Sequence, residues 1–140
     1  MIRPGFQPAS FSHRQAGTLP ALLGIEVDSL AEGTISASME VRGDHMAPNG
    51  FLHAASVIAL ADTAAGHGCV AHLPEGASGF TTIELKANFL GTATSGRLAV
   101  EASLVHGGRT TQVWDAVVRD AAGKTIALFR CTQMVLWPKA

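Results

Sequence analysis

Between Phe51 and Leu73 the chain reads FLHAASVIALADTAAGHGCVAHL, and Asp62 is the only ionised acid in it. A carboxylate in the middle of an apolar helix loses hydration that its neighbours do not replace, so folding alone selects against it. Two readings of Asp62 follow. One is a structural aspartate hydrogen-bonded to Thr63 or to a neighbouring element. The other is a functional carboxylate, since perturbed carboxylates gather where chemistry is done. Burial would raise its pKa, while helix amides and threonine hydroxyls would lower it, and the sequence leaves the balance open.

Other chemistry-bearing residues are weaker candidates. His67, Cys69 and His72 match no standard zinc spacing, and a single turn of apolar helix makes a poor cage, so no metal is expected. Gly123-Lys124-Thr125 has the ending of a phosphate loop, but the position five before Gly123 is Val118. A hairpin turn explains it better, and His106-Gly107-Gly108-Arg109 reads as a turn too. Asp44-His45 is the one tempting acid–imidazole pair in a loop. His53 falls where a helix begins, and a ring hydrogen-bonded to a nearby carbonyl is its simplest role. Trp114 and Trp137 sit in strand contexts and read as packing residues.

The elements that must position these residues can be read from periodicity. Residues 1–15 mix Pro, Gly, Ser and isolated aromatics without a period, and are expected to form a poorly ordered or surface-hugging lead-in. Residues 16–140 are expected to form one domain. Ala16–Leu23 suits a short helix, and Ile25–Val41 carries two strands. In the second, Ile35, Ala37, Met39 and Val41 alternate with polar residues, the signature of a sheet with one buried face. A helix of roughly 20 residues should start near Phe51, after Asn49-Gly50, and end at Leu73-Pro74. It is apolar nearly all round, which describes a helix enclosed by protein. Four strands follow at Thr81–Leu90, Arg97–Val105, Thr110–Asp120 and Thr125–Trp137. The turn signals between them predict consecutive antiparallel hairpins. The fold class is therefore α+β, one long central helix against an antiparallel sheet of five or six strands.

Bulk properties exclude several classes. The chain has 140 residues, 47% of them hydrophobic, enough for one core. With 10 Lys+Arg against 11 Asp+Glu, it offers no broad basic field, and nucleic-acid binding is not expected. Cys69 and Cys131 are too few for a disulfide framework and should be reduced. No apolar run suits export or membrane spanning, so a cytoplasmic location is expected, with no membrane partner.

The order strand, strand, long helix, four strands resembles a hotdog fold. Within it, Asn49-Gly50-x-x-His53-Ala54-Ala55 followed by Leu60-Ala61-Asp62-Thr63-Ala64 is similar to the helix motif of the PaaI-like acyl-CoA thioesterases. Thr81-Thr82-Ile83-Glu84-Leu85-Lys86-Ala87-Asn88-Phe89-Leu90 resembles the strand that follows. The resemblance spans roughly residues 22–136. It implies that Asp62 is the catalytic carboxylate, as nucleophile or as general base for water. It also implies that the backbone N–H of Ala54 polarises the thioester carbonyl, that Asn49 orients water or substrate, and that Thr82 supplies the hydroxyl of the next strand. His53, Ala55 and Thr63 take supporting places. The family usually has His-Gly-Gly where this chain has His53-Ala54-Ala55. Since the donor is a main-chain N–H at a helix start, that departure touches substrate range more than activity.

Hydrolysis of a thioester needs a polarised carbonyl, an anionic base or nucleophile, and exclusion of bulk water. Ala54 and Asp62 are eight residues apart, about 12 Å along one helix. One carbonyl carbon cannot lie about 3 Å from both. If both act, they come from different chains across a two-fold axis, and a homodimer, or a dimer of dimers, is expected. Met46, Phe51 and Phe89 are candidate acyl contacts. Arg109 and Lys124 are candidate contacts for the phosphates of coenzyme A, which enters as part of the substrate, so no cofactor is expected. The alternatives are a hydratase or dehydratase using Asp44-His45, and a non-catalytic acyl-CoA-binding module.

Overall fold

Strand alternation and one long apolar segment produce the architecture of the chain, a computed structural model that describes residues 1–139. Two short helices, α1 (Pro8–Gln15) and α2 (Leu19–Leu22), precede strands β1 (Glu26–Ala31) and β2 (Thr34–Glu40). A short 3-10 turn at Gly43–His45 leads to the long helix α3 (Ala54–Ala71). Strands β3 (Gly79–Phe89), β4 (Arg97–Gly107), β5 (Thr111–Arg119) and β6 (Thr125–Leu136) complete the fold. They form one six-stranded antiparallel sheet in the order β1-β2-β4-β5-β6-β3.

Hairpin pairing of consecutive strands holds for β1–β2, β4–β5 and β5–β6 and fails at β3. That strand passes to the far edge, beside β6, because β2 already takes the free edge of β4. The six-residue stretch Gly91–Gly96 is also longer than a tight hairpin turn.

The inward-facing residues of β4, β5 and β6, among them Leu98, Val100, Trp114, Val118 and Phe129, are buried against α3. The helix starts at Ala54 rather than Phe51, with His53 as its N-cap, and runs for 18 residues. Its length and composition would suffice to cross a membrane, but more than half of it is buried inside this sheet. The burial is one-sided. Val57, Leu60, Ala61, Ala64, Ala65, Gly68 and Cys69 face the sheet. Ala54, Ala55, Ile58, Ala59, Asp62, Thr63, Gly66, His67 and Val70 form a winding stripe that the sheet leaves partly or wholly uncovered.

Both ends of α3 are pinned. At its start, the His45 carbonyl accepts the His53 N–H at 3.0 Å and the Ser56 hydroxyl at 2.8 Å. At its end, His72 donates from Nδ1 to the Gly68 carbonyl at 2.8 Å and accepts the Gly33 N–H on Nε2 at 2.9 Å. The lead-in, expected to be poorly ordered or surface-hugging, carries α1, which buries Phe11 and Gln15. Phe11 lies against the His67 ring of α3, with centroids 4.4 Å apart, and this contact is what orders the segment.

Close approach of helix and sheet depends on Gly68. A Cβ there would come 2.7 Å from Trp114 Cη2 and 3.1 Å from Ile35 Cγ2. Trp114 is wholly buried and donates from Nε1 to Gln112 at 2.9 Å, so it has nowhere to retreat. Gly68→Ala should therefore destabilise the fold by about 1–3 kcal/mol through overpacking, despite alanine's better helix propensity. A melting temperature equal to or above that of the unsubstituted chain would refute this account of the contact.

Candidate active site

Asp62 lies on the uncovered stripe of α3, and no hydrogen bond to its carboxylate is found among the described residues. Its Oδ1 is buried without a partner. The structural reading, a side chain held by Thr63 or a neighbouring element, therefore has no support in the geometry. Burial raises the Asp62 pKa above the ordinary carboxylate value. The Cys131 thiol of β6 is pushed up to about 12, first by its own burial and then by the Asp62 charge. Cys69 is likewise pushed up to about 12, by burial and by Cys131. Both thiols are free and buried, and as neutral thiols they are poor nucleophiles. The carboxylate is therefore the candidate reactive group.

Asp62 opens onto a groove of about 340 Å³, shared with Arg14, Thr63, Gly66, His67 and Phe80. A second groove, of about 550 Å³, lies at the start of α3 and is lined by Asn49, Phe51, His53, Ala54, Phe89 and Thr92. The two have no lining residue in common.

In the second groove, the His53 ring accepts the Ala55 N–H on Nδ1 at 2.9 Å. Its expected partner was a carbonyl, but at an N-cap the unpaired groups are amides, and an unprotonated ring nitrogen meets that need. Asn49 Oδ1 accepts the Phe51 N–H at 3.1 Å, a local turn bond, and its amide nitrogen has no partner among the described residues. Thr92 Oγ1 accepts the Leu52 N–H at 2.8 Å. The Ala54 N–H, first of the helix, has no partner among the described residues. An unpaired amide at the positive end of a helix dipole suits a developing oxyanion.

The other anticipated residues fall in different places. Phe51 and Phe89 line the second groove and are 58% and 45% exposed. Met46 bridges Leu52 in the loop before α3 and lines neither groove. The Thr82 hydroxyl on β3 donates to Gln133 Oε1 at 2.8 Å, and Gln133 in turn reaches Cys131 Sγ at 3.3 Å. Thr82 thus meets the surroundings of Asp62 through β6. Arg109 stacks over the Trp137 ring at 4.6 Å, in the β4–β5 turn. Lys124 lies in the β5–β6 turn, where its N–H donates to Asp120. They flank opposite ends of a nine-residue strand, roughly 30 Å apart, and do not meet within one chain. His45 is buried and uses both ring nitrogens, accepting from the Arg42 N–H and donating to the Leu23 carbonyl. It has no nitrogen free to pair with Asp44 in proton transfer. No cluster of three metal-capable side chains occurs among the described residues. Arg14 was not anticipated at the Asp62 groove. The spacing of Phe11 and Gln15, one helical turn apart, was its one available signal.

Comparison with known proteins agrees with this geometry. A profile of the thioesterase superfamily matches residues 49–127. A 1,4-dihydroxy-2-naphthoyl-CoA hydrolase of Listeria monocytogenes is 31% identical over 114 residues, covering 81% of this chain and 92% of that one. The fold superposes on a mutant thioesterase of Pseudomonas aeruginosa with a TM-score of 0.91 at 28% identity, over 96% of this chain and 97% of that one. The PaaI protein of Escherichia coli, from the phenylacetic acid degradation operon, gives 0.81 at 25% identity, over 91% and 90% of the two chains. The chain belongs to the thioesterase superfamily, as a PaaI-like hydrolase of the hotdog fold.

Proposed function

We propose that the chain hydrolyses acyl-CoA thioesters to the free acid and coenzyme A, in a site built by two copies of itself. The observation that carries this reading is the half-buried Asp62 carboxylate at the edge of a groove, with Oδ1 buried and unpartnered among the described residues. A charge kept there without compensation costs folding free energy, and an incoming group gives it a use. The coenzyme A part of the substrate is supported by the hydrolase of Listeria monocytogenes, which is named for such a thioester.

Asp62 either takes a proton from water as the water attacks the carbonyl carbon, or attacks that carbon itself to give a mixed anhydride that water then opens. In both routes the carbonyl oxygen becomes an oxyanion accepting the Ala54 N–H, and the C–S bond breaks to release the thiolate. Asn49, with its amide nitrogen free, would orient the carbonyl or water, and Phe51 and Phe89 would flank the acyl or pantetheine part. Arg109 and Lys124, being far apart, would meet coenzyme A phosphates only singly or from different copies.

The requirement for two copies comes from helix rise, because Ala54 and Asp62 face separate grooves of one chain. The β3 edge supports it. This strand of 11 residues is exposed through its middle, with Ile83 at 54% and Leu85 at 39%. An apolar edge of that length invites pairing. Antiparallel pairing of β3 with its copy would bring the uncovered stripes of two α3 helices together, head to middle.

Asp62→Asn keeps the shape and removes the base or nucleophile, and should lower kcat by about 10²-fold or more. The same variant should be more stable at neutral pH. A carboxyl whose pKa is raised on folding penalises the fold above that raised pKa, and the penalty vanishes below the ordinary carboxylate value. The gain in melting temperature should therefore be present at pH 7 and disappear in acid. Near-normal turnover, or no gain at pH 7, would refute the respective assignment.

Because burial raises this pKa, the acid limb of kcat/KM should fall above the ordinary carboxylate range, and a limb within that range would contradict the ionised role. The shared site can be tested by mixing Ala54→Trp chains, whose helix start is blocked, with Asp62→Asn chains. Mixed dimers contain one doubly damaged site and one intact site, so activity should return to at most about half of the original per dimer. Inactive, verified heterodimers of two folded variants would end the shared-site reading.

A further inference from the structure

The groove at the start of α3 uses its acceptors internally and keeps its donors. Asn49, His53 and Thr92 are the polar side chains that line it, and each gives an acceptor to a backbone amide where the chain enters the helix. Asn49 Oδ1 takes the Phe51 N–H, Thr92 Oγ1 the Leu52 N–H and His53 Nδ1 the Ala55 N–H. What each side chain still holds is hydrogen: on the Asn49 amide, on the Thr92 hydroxyl and on His53 Nε2. None of these hydrogens has an acceptor among the described residues, and neither has the Ala54 N–H beside them. Thr92 and Ala54 are exposed, so water is what an incoming acceptor displaces there.

A row of unsatisfied donors suits a ligand that brings carbonyl oxygens. A coenzyme A thioester brings them unevenly. Besides the reacting carbonyl, its thiol arm carries amide carbonyls along its length, whereas a hydrocarbon acyl group carries none. Thr92 is placed to meet that arm close to the sulfur. Its oxygen lies 2.8 Å from the Leu52 nitrogen, and Leu52 is two residues before Ala54. It is therefore at most about 10 Å from the amide that would hold the thioester oxygen. The bonds running from that carbonyl through sulfur to the first amide of the arm cover such a distance.

We infer that the Thr92 hydroxyl donates to the first amide carbonyl of the thiol arm, and that the enzyme thereby selects its thioesters by their leaving group. The inference rests on the thioesterase reading above and adds to it the residue that reads the thiol. Thr92 and Ala54 belong to one chain, so it stands apart from the two-copy site. Thr92 also lies outside the helix and strand motifs that carry the family resemblance. The connection between β3 and β4 brings it to the groove, and its bond to Leu52 holds it there.

The test measures kcat/KM, by release of free thiol, for hexanoyl and benzoyl esters of coenzyme A, of N-acetylcysteamine, which keeps the first amide and ends there, and of pentane-1-thiol, which has the same length without the amide. Each value is divided by the alkaline hydrolysis rate of the same ester, which removes the difference in leaving-group acidity. In the unsubstituted chain the corrected value for the N-acetylcysteamine ester should exceed that for the pentane-1-thiol ester by about fivefold, the usual worth of one hydrogen bond. Thr92→Val should lower kcat/KM for the coenzyme A and N-acetylcysteamine esters by about the same factor, and the loss should be absent with the pentane-1-thiol ester. Thr92→Ser, which keeps the hydroxyl, should behave as the unsubstituted chain. Because Thr92→Val also removes the acceptor of the Leu52 N–H, a merely structural threonine would lower all the esters alike. An equal loss on every thiol would overturn the inference and leave the hydrolase reading intact. So would a corrected ratio near one in the unsubstituted chain, a measurement that needs no variant and decides the matter should Thr92→Val fail to fold. Absence of turnover with every ester would overturn both.

Discussion

A single sheet can cover only one side of a helix, and α3 is apolar on nearly all sides. Its sheet-facing residues, from Val57 through Cys69, are sealed by β2, β4, β5 and β6. The winding stripe from Ala54 to Val70 is not. Apolar helix left in water has lost nothing by folding but gains nothing either, so the stripe is where further cover is worth most. The lead-in supplies a part of it through Phe11 on His67. The remainder is the surface on which Asp62 sits, and its neighbours there are small: Ala54, Ala55, Ala59, Thr63 and Gly66. Small residues let another backbone approach closely, which a site assembled from two helices requires.

The two candidate groups on α3 are electrostatically opposite and lie on separate grooves of the chain. At the start of α3 an amide of the positive dipole end is unpaired. In the middle of α3 a carboxylate oxygen is unpaired and desolvated. Only the second is costly alone, because Ala54 is exposed and water can meet its amide. His53 sharpens the first by absorbing the Ala55 N–H, which leaves the Ala54 N–H as the free donor. The buried His45, with its carbonyl tied to His53 and Ser56 and its ring tied to the Arg42 amide and the Leu23 carbonyl, holds the helix start in place. Its role is to position the N-cap and not to move protons.

The readable parts of this chain were those in which pattern and structure share a period. Alternation and turn signals located the last four strands to within about two residues and placed the first two inside Ile25–Val41, and the isolated acid in an apolar run marked Asp62, because an uncompensated charge contradicts its surroundings. The place of β3 was not readable by the same logic. Turn signals report where a strand ends and not which edge it joins, and β3 joins β6, its partner across some forty residues of chain. The contact of His67 with Gln15 was beyond the sequence for a related reason. Gln15 lies 52 residues earlier, on a helix whose only local signal is Phe11 and Gln15 one turn apart. Arg14 follows from the same missed helix.

The replacement of Gly-Gly by Ala54-Ala55 can be judged on backbone grounds. Glycine is indispensable where φ is positive or where a Cβ would collide. Every positive φ in the described chain belongs to a glycine, and neither alanine has one. Ala54 and Ala55 are the first residues of a regular helix and are exposed, so their methyl groups strain nothing within the chain, and alanine favours the helix more than glycine does. What the methyls occupy is exposed space beside the Ala54 amide, so their effect falls on whatever approaches that amide and not on the fold.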